Sequence, residues 1–415
     1  MAKKIKTSTV AVLDIGSSKV VCFIAKIDPF GRINVVGIGH NVSQGIKAGR
    51  IADIKNAEIS IAQAVEAAEQ MAGETIKNIN ISISSNNLLS QRVAADLMVT
   101  GNEISDKDLN RLVFQVLDRF NEKDLDVVHS FAYDYILDGN RGIDNPLGMY
   151  GNNMTAEFHV LAASPTYLLN ISNCIAQCQL DVESFISSSY ASGLACLTQD
   201  EMDLGVTLIE MGGGITSVSV FNKGHMLFSD AIPIGGVHVT NDIARGFCTD
   251  FMNAERIKAL YGTAIMTSAD YDENIEVPLS SNQHETEMNV LKRSELVEII
   301  RARLEEILEI AYKKLEASGV HKYAGNKVVI TGGPTKLSGV KEMVGHVFSK
   351  TVRVGYPVEI AGLAESTSGI AFATPIGMLL HLAKTQERSY GFYKGAANDA
   401  GVVSSILSWL KSNFG

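Results

Sequence analysis

Between residues 10 and 23 the chain reads Val10-Ala-Val-Leu-Asp14-Ile-Gly16-Ser-Ser-Lys19-Val-Val-Cys-Phe23. An apolar, β-branched run ends in a carboxylate, turns through glycine and serine, and continues into a second apolar run. The same pattern returns as Val206-Thr-Leu-Ile-Glu210-Met-Gly212-Gly-Gly-Ile-Thr-Ser-Val-Ser-Val-Phe221. Each copy predicts a β-hairpin with a tight turn. Because the hairpin is duplicated, we expect a two-lobed α/β fold that holds a ligand between its lobes.

The turns and carboxylates of the two hairpins have the chemistry of a phosphate and metal site. Glycine has no Cβ, so the N–H groups of a turn such as Gly212–Gly214 can face an approaching anion. Asp14 and Glu210 end the first strand of each hairpin, and carboxylate oxygens bind hard cations directly or through water. The pair therefore predicts a site for the phosphates of a nucleotide and its Mg²⁺. Either hairpin alone would be an ordinary tight turn.

Size and composition limit the class of protein. A chain of 415 residues, 46% hydrophobic and 20% charged, is typical of a globular protein of two or more domains. The net charge of −10 argues against nucleic acid as a partner, because its binders usually carry a basic face. Five cysteines without a secretory pattern favour reduced thiols in a cytosolic protein. Asp14 interrupts the first apolar run too early for a signal peptide, and no apolar run is long enough to span a membrane.

Hydrophobic spacing divides the chain into two lobes, an insert and a tail. Helices are predicted over residues 56–72, 187–200 and 374–382, together with a long helix that has Ser294 as its N-cap and ends at Gly319. The predicted bounds are 1–85 and 166–200 for the first lobe, 86–165 for the insert, 201–244 and 311–383 for the second lobe, 245–310 for an outer subdomain, 384–401 for a flexible linker and 402–415 for a terminal helix.

Further glycine turns lie in the second half of the chain. Ile234-Gly235-Gly236 opens a helix, and Val328-Val-Ile-Thr-Gly332-Gly333 is a strand that enters a double-glycine turn. Between them, Glu255 and Lys258 are three residues apart and so share one face of a helix. Taken alone, these turns are common connections and the pair is an exposed salt bridge. Backbone exposed at a double glycine can also lie flat against a base or a sugar.

The order of these elements along the chain resembles that of the actin and heat-shock-chaperone ATPase superfamily. The resemblance implies ATP with Mg²⁺ as the cofactor. The phosphate-binding residues that it implies are Gly16, Ser17, Ser18 and Lys19 in the first loop and Gly212, Gly213 and Gly214 in the second. The implied nucleoside contacts are Gly332 and Gly333 for the adenosine, Gly235 and Gly236 as a further stretch of backbone, and Glu255 and Lys258 on either side of the ribose and base.

Two more stretches narrow the resemblance. Asp144-Asn-Pro-Leu-Gly-Met-Tyr-Gly-Asn-Asn-Met154 precedes Phe158-His-Val-Leu161, and Ser43-Gln-Gly-Ile-Lys-Ala-Gly-Arg-Ile-Ala-Asp53 lies upstream. Together with the overall length, they closely resemble the FtsA family of bacterial cell-division proteins. This resemblance implies an actin-like duplicated fold whose lobes are called 1A and 2A, with an outer subdomain 2B and a small inserted α/β subdomain 1C.

The family resemblance also implies a function. FtsA-type proteins bind ATP, form protofilaments and tether the tubulin-like FtsZ ring to the cytoplasmic face of the inner membrane at the division site. We expect the C-terminal tail of FtsZ to bind the outer subdomain, where Arg293 and Arg301, with Lys292 and Arg303, form a basic set near the start of the long helix. A solvated helix face is the alternative reading of these cations. The insert is a candidate contact for later division proteins.

Residues 402–415 predict an amphipathic helix. Its apolar face consists of Val403, Ile406, Leu407, Leu410 and Phe414, widened by Trp409. Such a helix lies in a membrane interface with its apolar face under the headgroups. Lys411 is its only cation, so insertion would depend on apolar burial, and polymerisation would add avidity. A helix docked on its own domain is the alternative.

Departures from the superfamily pattern bear on catalysis. Glu210 stands in place of the usual aspartate, and Ile215 and Ser217 stand where Thr and Asp are common. The position of the residue that orients the attacking water falls among Ser187–Ser189, which carry no carboxylate or amide. We therefore expect ATP binding with slow or negligible hydrolysis. A small-molecule kinase of the same fold and a pilus-assembly actin homologue are the alternative functions, and neither accounts for the terminal helix.

Overall fold

The computed structural model describes the backbone of residues 7–278 and 288–393, and the side chains of the same residues except Ser85 and 386–393. The predicted membrane helix and residues 394–401 of the predicted linker lie outside the described residues.

The first lobe begins with the predicted hairpin. Its elements before the insert are β1 (Ser8–Ile15), β2 (Lys19–Ile27), β3 (Ile33–Val42), β4 (Ile46–Lys47), β5 (Arg50–Ile51), α1 (Ile54–Ala72) and β6 (Asn78–Ile83). β1 and β2 pair antiparallel with Asp14 opposite Val21, and the turn closes where the Gly16 N–H donates to the Lys19 carbonyl at 3.0 Å. The hairpin prediction is confirmed here.

The insert is a small sheet with one helix against it. Its elements are β7 (Leu88–Met98), α2 (Asp106–Asn121), β8 (Asp126–Leu137), β9 (Asn140–Ile143) and β10 (Asn153–Ala163). The sheet order is β7-β10-β8-β9, with all neighbours antiparallel. α2 buries Leu112, Val116 and Phe120, which recur every four residues and so lie on one helical face. The insert therefore has its own apolar core.

The chain then returns to the first lobe and crosses to the second. This part contains α3 (Pro165–Gln177), β11 (Asp181–Ser187), α4 (Ser188–Cys196) and α5 (Gln199–Leu204). β11 adds to the sheet of the first lobe, whose order is β11-β6-β1-β2-β3.

The second lobe repeats the hairpin of the first. Its elements are β12 (Val206–Met211), β13 (Thr216–Asn222), β14 (His225–Ile232), α6 (Gly236–Gly246), α7 (Phe251–Tyr261), β15 (Asn274–Pro278), β16 (Met288–Lys292), α8 (Arg293–Ala317), β17 (Lys327–Thr331), α9 (Val340–Phe348) and β18 (Thr351–Val354). α10 (Ala373–Tyr393) follows and packs against the sheet of the first lobe. Glu210 lies opposite Ser217, and the Gly212 N–H donates to the Ile215 carbonyl at 2.8 Å. The register and the turn closure match those of Asp14 and Gly16, so the lobes are built on equivalent hairpins.

Side chains of the central strands alternate between the two faces of each sheet, and helices cover those faces. In β1, Ala11 and Leu13 pack in the core beneath α1 and α3, whereas Val10 and Val12 pack in the core beneath α4 and α10. Successive side chains of a strand point to opposite faces, so this strand is buried on both sides. The second sheet, β14-β13-β12-β17-β18, packs α6, α8 and α9 against one face. These findings agree with the predicted α/β fold.

Several helix bounds differ from the predictions, most clearly those of α4, α8 and α10. α8 begins at Arg293, and its N-cap is Lys292 in place of the predicted Ser294. The Glu295 carboxylate accepts the Lys292 N–H, which starts the first turn two residues earlier than predicted. The helix predicted over 187–200 is two helices, since Leu197 is extended and Thr198 caps α5. α10 runs to Tyr393, past the predicted end and into the predicted linker. Residues 383–390 contain neither glycine nor proline, so nothing there interrupts a helix.

Among the described helices, none combines the length and the hydropathy that crossing a bilayer requires.

Candidate nucleotide site

The turns of the two hairpins touch each other. A Cβ built on Gly213 would lie 2.7 Å from the Ser18 side chain, and one built on Gly214 would lie 2.5 Å from Ser17 Oγ. Real Cβ atoms do not approach other heavy atoms so closely, so the second loop can meet the first only because it is made of glycine. The structure therefore brings both predicted phosphate loops to one place between the lobes.

The second loop rests on the start of α6. The Gly236 N–H donates to the Gly212 carbonyl at 3.0 Å, and the Val237 N–H donates to the Gly213 carbonyl at 2.8 Å. Within the described part of the chain, the N–H groups of Gly213 and Gly214 have no hydrogen-bond partner. The loop thus has its carbonyls engaged and its donors available, which is the arrangement that suits an anion.

The double glycine after β17 lies beside this helix start. Gly332 has φ +95°, and a Cβ there would lie 2.1 Å from the Met211 carbonyl oxygen, so only glycine fits. A Cβ on Gly333 would meet no atom within 4 Å. Pro334 contacts Gly236, whose Cβ position is 2.8 Å from the proline Cγ. Gly333 therefore presents bare backbone to open space next to the loops, as a nucleoside contact requires.

Glu255 and Lys258 bind each other and the same helix start. The Lys258 Nζ donates to Glu255 Oε2 at 2.6 Å, to Thr240 Oγ1 at 2.6 Å and to the Gly236 carbonyl at 3.3 Å. The lysine side chain is only 12% exposed and the glutamate is 47% exposed. The pair is therefore more than a surface salt bridge, because it ties α7 to the turn that supports the second loop.

The two carboxylates are held by hydroxyl groups. Asp14 Oδ1 accepts a hydrogen bond from Ser82 Oγ at 2.6 Å. Glu210 Oε1 accepts from Ser192 Oγ and from Thr374 Oγ1, each at 2.7 Å, and Glu210 Oε2 accepts from Ser217 Oγ at 3.2 Å. Sequence reasoning treated Ser217 as a departure from a pattern and missed Ser192 and Thr374.

Burial and mutual repulsion make this pair of carboxylates receptive to a cation. Burial raises the pKa of Asp14, and burial together with the negative charge of Asp14 raises the pKa of Glu210. The described residues contain no group of three or more His, Cys, Asp or Glu that could hold a metal ion. A Mg²⁺ ion would fit here only with phosphate and water oxygens as its other ligands, which is how it is usually bound beside nucleotides.

Lys19 is directed to the start of α10. Its Nζ donates to the Ala371 carbonyl at 2.5 Å and lies 3.5 Å from the centroid of the Phe372 ring. Burial lowers the pKa of Lys19 to about 8, and the neighbouring Lys336 ammonium lowers it further, against the opposing effect of Asp14. Lys336, which follows the double glycine, is a second cation near the loops. The sequence patterns did not identify it.

The serines in the place of the water-orienting residue are engaged elsewhere. Ser187 and Ser189 are completely buried; their hydroxyls are 3.1 Å apart, and Ser189 Oγ is 2.8 Å from Ser229 Oγ in the second lobe. Ser90 Oγ, in the insert, accepts the Ser229 N–H at 3.1 Å and contacts His159 Nε2 at 2.8 Å. We call Ser90, His159, Ser187, Ser189 and Ser229 the hydroxyl cluster, and it joins the insert and both lobes.

The predicted partner-binding arginines are already paired within the chain. Arg293 Nη1 lies 2.7 Å from Glu273 and 3.3 Å from Asp270, and its Nε donates to the Tyr261 carbonyl at 3.0 Å. Arg301 pairs with Glu305 at 2.7 Å on the helix surface. Arg293 therefore ties the start of α8 to the end of α7 and to the residues before β15, whereas Arg301, whose side chain is 52% exposed, is accessible.

A cavity of about 680 Å³ lies apart from the loops, between the insert and the β13–β14 hairpin. Its lining residues are mostly charged or aromatic and include Arg92, Tyr133, Arg141, Glu157, Lys223 and Tyr323.

Two lobes built on equivalent hairpins, with glycine turns in contact and a carboxylate on each side, define an actin-like protein. A chain of the "PilM-PilN type IV pilus biogenesis complex" covers 89% of this chain and 97% of its own length, at 16% identity and a TM-score of 0.64. MreB 5 of Spiroplasma citri bound to AMPPNP covers 93% and 99%, at 11% identity and a TM-score of 0.55. These likenesses show the fold.

Within that class, the chain belongs to the FtsA family of cell-division proteins. Residues 207–377 match the family model "Cell division protein FtsA", and residues 85–162 match "SHS2 domain inserted in FTSA". The FtsA of Agrobacterium fabrum is 35% identical over 423 residues, which cover 99% of this chain and 96% of that protein. The FtsA of Rhizobium meliloti is 36% identical over 422 residues with the same coverage.

Proposed function

We propose that the chain binds Mg·ATP between its lobes and serves as an actin-like filament subunit that anchors the FtsZ ring to the membrane. The observation that carries the nucleotide half is the contact between the glycine turns at Gly213 and Ser18, with Asp14 and Glu210 beside it. MreB 5 of Spiroplasma citri, which shares the fold, is bound to AMPPNP in its structure.

In this proposal each element of the site has one task. The N–H groups of Gly213 and Gly214 donate to phosphate oxygens. Asp14 and Glu210 hold the metal, directly or through water, and the metal offsets the charge of the phosphates. The bare backbone at Gly333 and the Glu255–Lys258 pair lie where the adenosine would be held, since both contact the first turn of α6 or its neighbour Pro334.

Turnover is proposed to be slow. Efficient hydrolysis in this superfamily needs a side chain that orients the attacking water. Ser187 and Ser189 are fully buried in the hydroxyl cluster, so neither is available for that purpose. ATP would then act mainly as a structural ligand that holds the lobes in one arrangement.

The anchoring half rests on family membership and on the sequence of the tail. The FtsZ C-terminal tail would bind the outer subdomain, residues 245–310, and the apolar face that includes Trp409 and Phe414 would insert into the membrane. Self-association into protofilaments would multiply a weak single attachment. The insert, residues 86–165, would be open to later division proteins at the cytoplasmic face of the division site.

Co-sedimentation with lipid vesicles tests this function. The full chain with Mg·ATP is expected to pellet with vesicles and to recruit FtsZ, whereas a chain ending at Gly401 is expected to stay in the supernatant. Trp409→Glu serves as the point variant, because a charge in the inserted face opposes burial. Equal pelleting of the full and truncated chains would show that the terminal helix is not the anchor.

A further inference from the structure

Glu210 is fixed by hydroxyl groups from two helices that are remote in sequence. Ser192 lies on α4 and Thr374 lies in the first turn of α10, and both hydroxyls donate to the same oxygen, Oε1. The two hydroxyl oxygens are 3.0 Å apart. Ser192 is completely buried and Thr374 is 7% exposed, so bulk water does not compete for these bonds.

The two helices are held together at this point by an unusually close contact. A Cβ on Gly377 would lie 1.7 Å from the Ala191 carbonyl oxygen, so α10 meets the backbone of α4 directly. Ser192 follows Ala191, and Thr374 is three residues before Gly377. The positions of the two donors are therefore preset by backbone packing and do not depend on the glutamate.

The two carboxylate oxygens of Glu210 differ in the number and length of the hydrogen bonds that they accept. Among the described residues, Oε1 has two donors at 2.7 Å, whereas Oε2 has one, Ser217, at 3.2 Å. Glutamate has one more rotatable bond than aspartate, and side-chain freedom that is lost on binding costs free energy. Donors that hold Oε1 remove that freedom and direct Oε2 outward before a ligand arrives.

We infer that Ser192 and Thr374 are positioning residues that hold Glu210 Oε2 ready for the metal ion of the bound nucleotide. The inference rests on the proposed nucleotide site and assigns to it two residues beyond the loops. A glutamate can then replace the shorter aspartate, because the two hydroxyls restrict the additional rotatable bond of its side chain. The carboxylate is also the point at which α4 and α10 both contact the end of β12, just before the second loop.

The test is the metal dependence of nucleotide affinity. A fluorescent ATP analogue is titrated into the full chain with Mg²⁺ and, separately, with EDTA, and the ratio of the two affinities is compared among variants. Thr374→Val and Ser192→Ala are expected to lower the ratio by about tenfold, since each removes a hydrogen bond to a charged group. Thr374→Ser keeps the hydroxyl and is expected to retain the ratio.

A matched control lies on the same helix. Thr385 donates to the His381 carbonyl at 3.0 Å, so Thr385→Val removes a threonine hydroxyl from α10 away from Glu210 and is expected to leave the ratio unchanged. If Thr374→Val and Ser192→Ala weaken binding equally with Mg²⁺ and EDTA, the hydroxyls are merely structural and the inference is overturned. If Thr374→Val does not fold, Ser192→Ala decides the matter, because it removes the other donor to Oε1.

Failure of the nucleotide site itself would look different. A wild-type chain that binds no analogue under either condition contradicts the proposed function. A wild-type chain that binds the analogue equally well with Mg²⁺ and EDTA keeps the nucleotide site but overturns the positioning of Glu210 for a metal.

Discussion

The negative charge of Asp14 raises the pKa of Glu210 across the boundary between the lobes. The two carboxylates end equivalent strands, and each lies opposite the residue seven positions further along its hairpin, Val21 and Ser217 respectively. Duplication has thus brought two like charges together in a partly buried place. Their repulsion is a cost that a metal ion beside both carboxylates would relieve.

Asp14→Asn is expected to stabilise the nucleotide-free protein at neutral pH. A raised pKa means that the folded chain holds the Asp14 proton more tightly than the unfolded chain does. The free energy of unfolding therefore falls as the pH rises from 3.8 through the raised pKa, and the loss persists at neutral pH. The asparagine variant lacks that loss, so its advantage in thermal unfolding should shrink as the pH is lowered.

Asp28→Asn is the control for this variant. Asp28 accepts bonds from Arg32 and Phe30, which lower its pKa, so its removal is expected to have the opposite sign. The same Asp14→Asn protein should also lose the Mg²⁺ dependence of nucleotide binding. A variant that unfolds at a lower temperature than wild type at neutral pH would contradict the cost of burying the Asp14 charge.

Gly213→Val is expected to weaken ATP binding by about 10- to 100-fold, if the roughly 1–3 kcal/mol that overpacking costs falls on the ligand-binding arrangement of the loops. Its Cβ would start 2.7 Å from Ser18, so the two loops would be forced apart. Isothermal titration with Mg·ATP measures the change. Unchanged affinity would remove the second loop from the site.

Gly333→Ala separates nucleotide contact from folding. The added methyl group meets no atom of the described chain within 4 Å, so the free protein should keep its thermal stability. Nucleotide affinity should fall, because the methyl group occupies the space assigned to the adenosine. Gly369→Ala, also without a neighbour within 4 Å, is the control and should change neither quantity.

Because of Lys19, the free energy of unfolding of the nucleotide-free protein is expected to increase between about pH 8 and pH 10.5. Its pKa is about 8 in the folded chain against 10.5 ordinarily, so between these values the unfolded chain binds a proton that the folded chain does not. The free energy of unfolding then rises with pH, by up to about 3 kcal/mol over the interval. Denaturant titrations at a series of pH values should show this rise in wild type and its absence in Lys19→Met. Parallel pH profiles would mean that the Lys19 ammonium is not desolvated.

Arg301 is the better test of the FtsZ-tail site. Arg293→Glu would leave Asp270, which is 2% exposed, without its cationic partner and is expected to destabilise the fold by about 2 kcal/mol or more. Arg301→Glu breaks only a surface pair, which contributes about 0.5 kcal/mol or less. Combined with Lys292→Glu, it is expected to weaken binding of an FtsZ tail peptide by about tenfold at low salt. Retained affinity in that folded double variant would place the tail site elsewhere.

Local features of the sequence were sufficient to predict the two hairpins and their glycine loops. Each loop is encoded within about a dozen residues, and the repeat is visible because β-branched runs and glycine turns are local patterns. The turn closures at Gly16 and Gly212 follow directly from that pattern.

Contacts between distant parts of the chain could not be predicted. Thr374 is 164 residues from Glu210, and Ala371 is 352 residues from Lys19; no spacing rule connects them. The end of α10 was misplaced for another reason. Polar residues without apolar periodicity predict a linker, but residues 383–390 contain no helix breaker, so a helix already nucleated in the packed first turns of α10 can continue through them.

The hydroxyl cluster has a mechanical consequence for the lobes. Ser187, Ser189 and Ser229 contact one another through hydroxyl groups, and not through apolar side chains that interlock. Interlocked apolar groups allow a few discrete arrangements, whereas hydroxyl groups rotate and exchange partners at nearly constant hydrogen-bond energy. At this contact, a small shift of Ser229 relative to Ser187 and Ser189 needs only a new set of hydroxyl pairings, whereas the apolar packing nearby, such as that of Phe221 against Gly193, limits how far the lobes can shift.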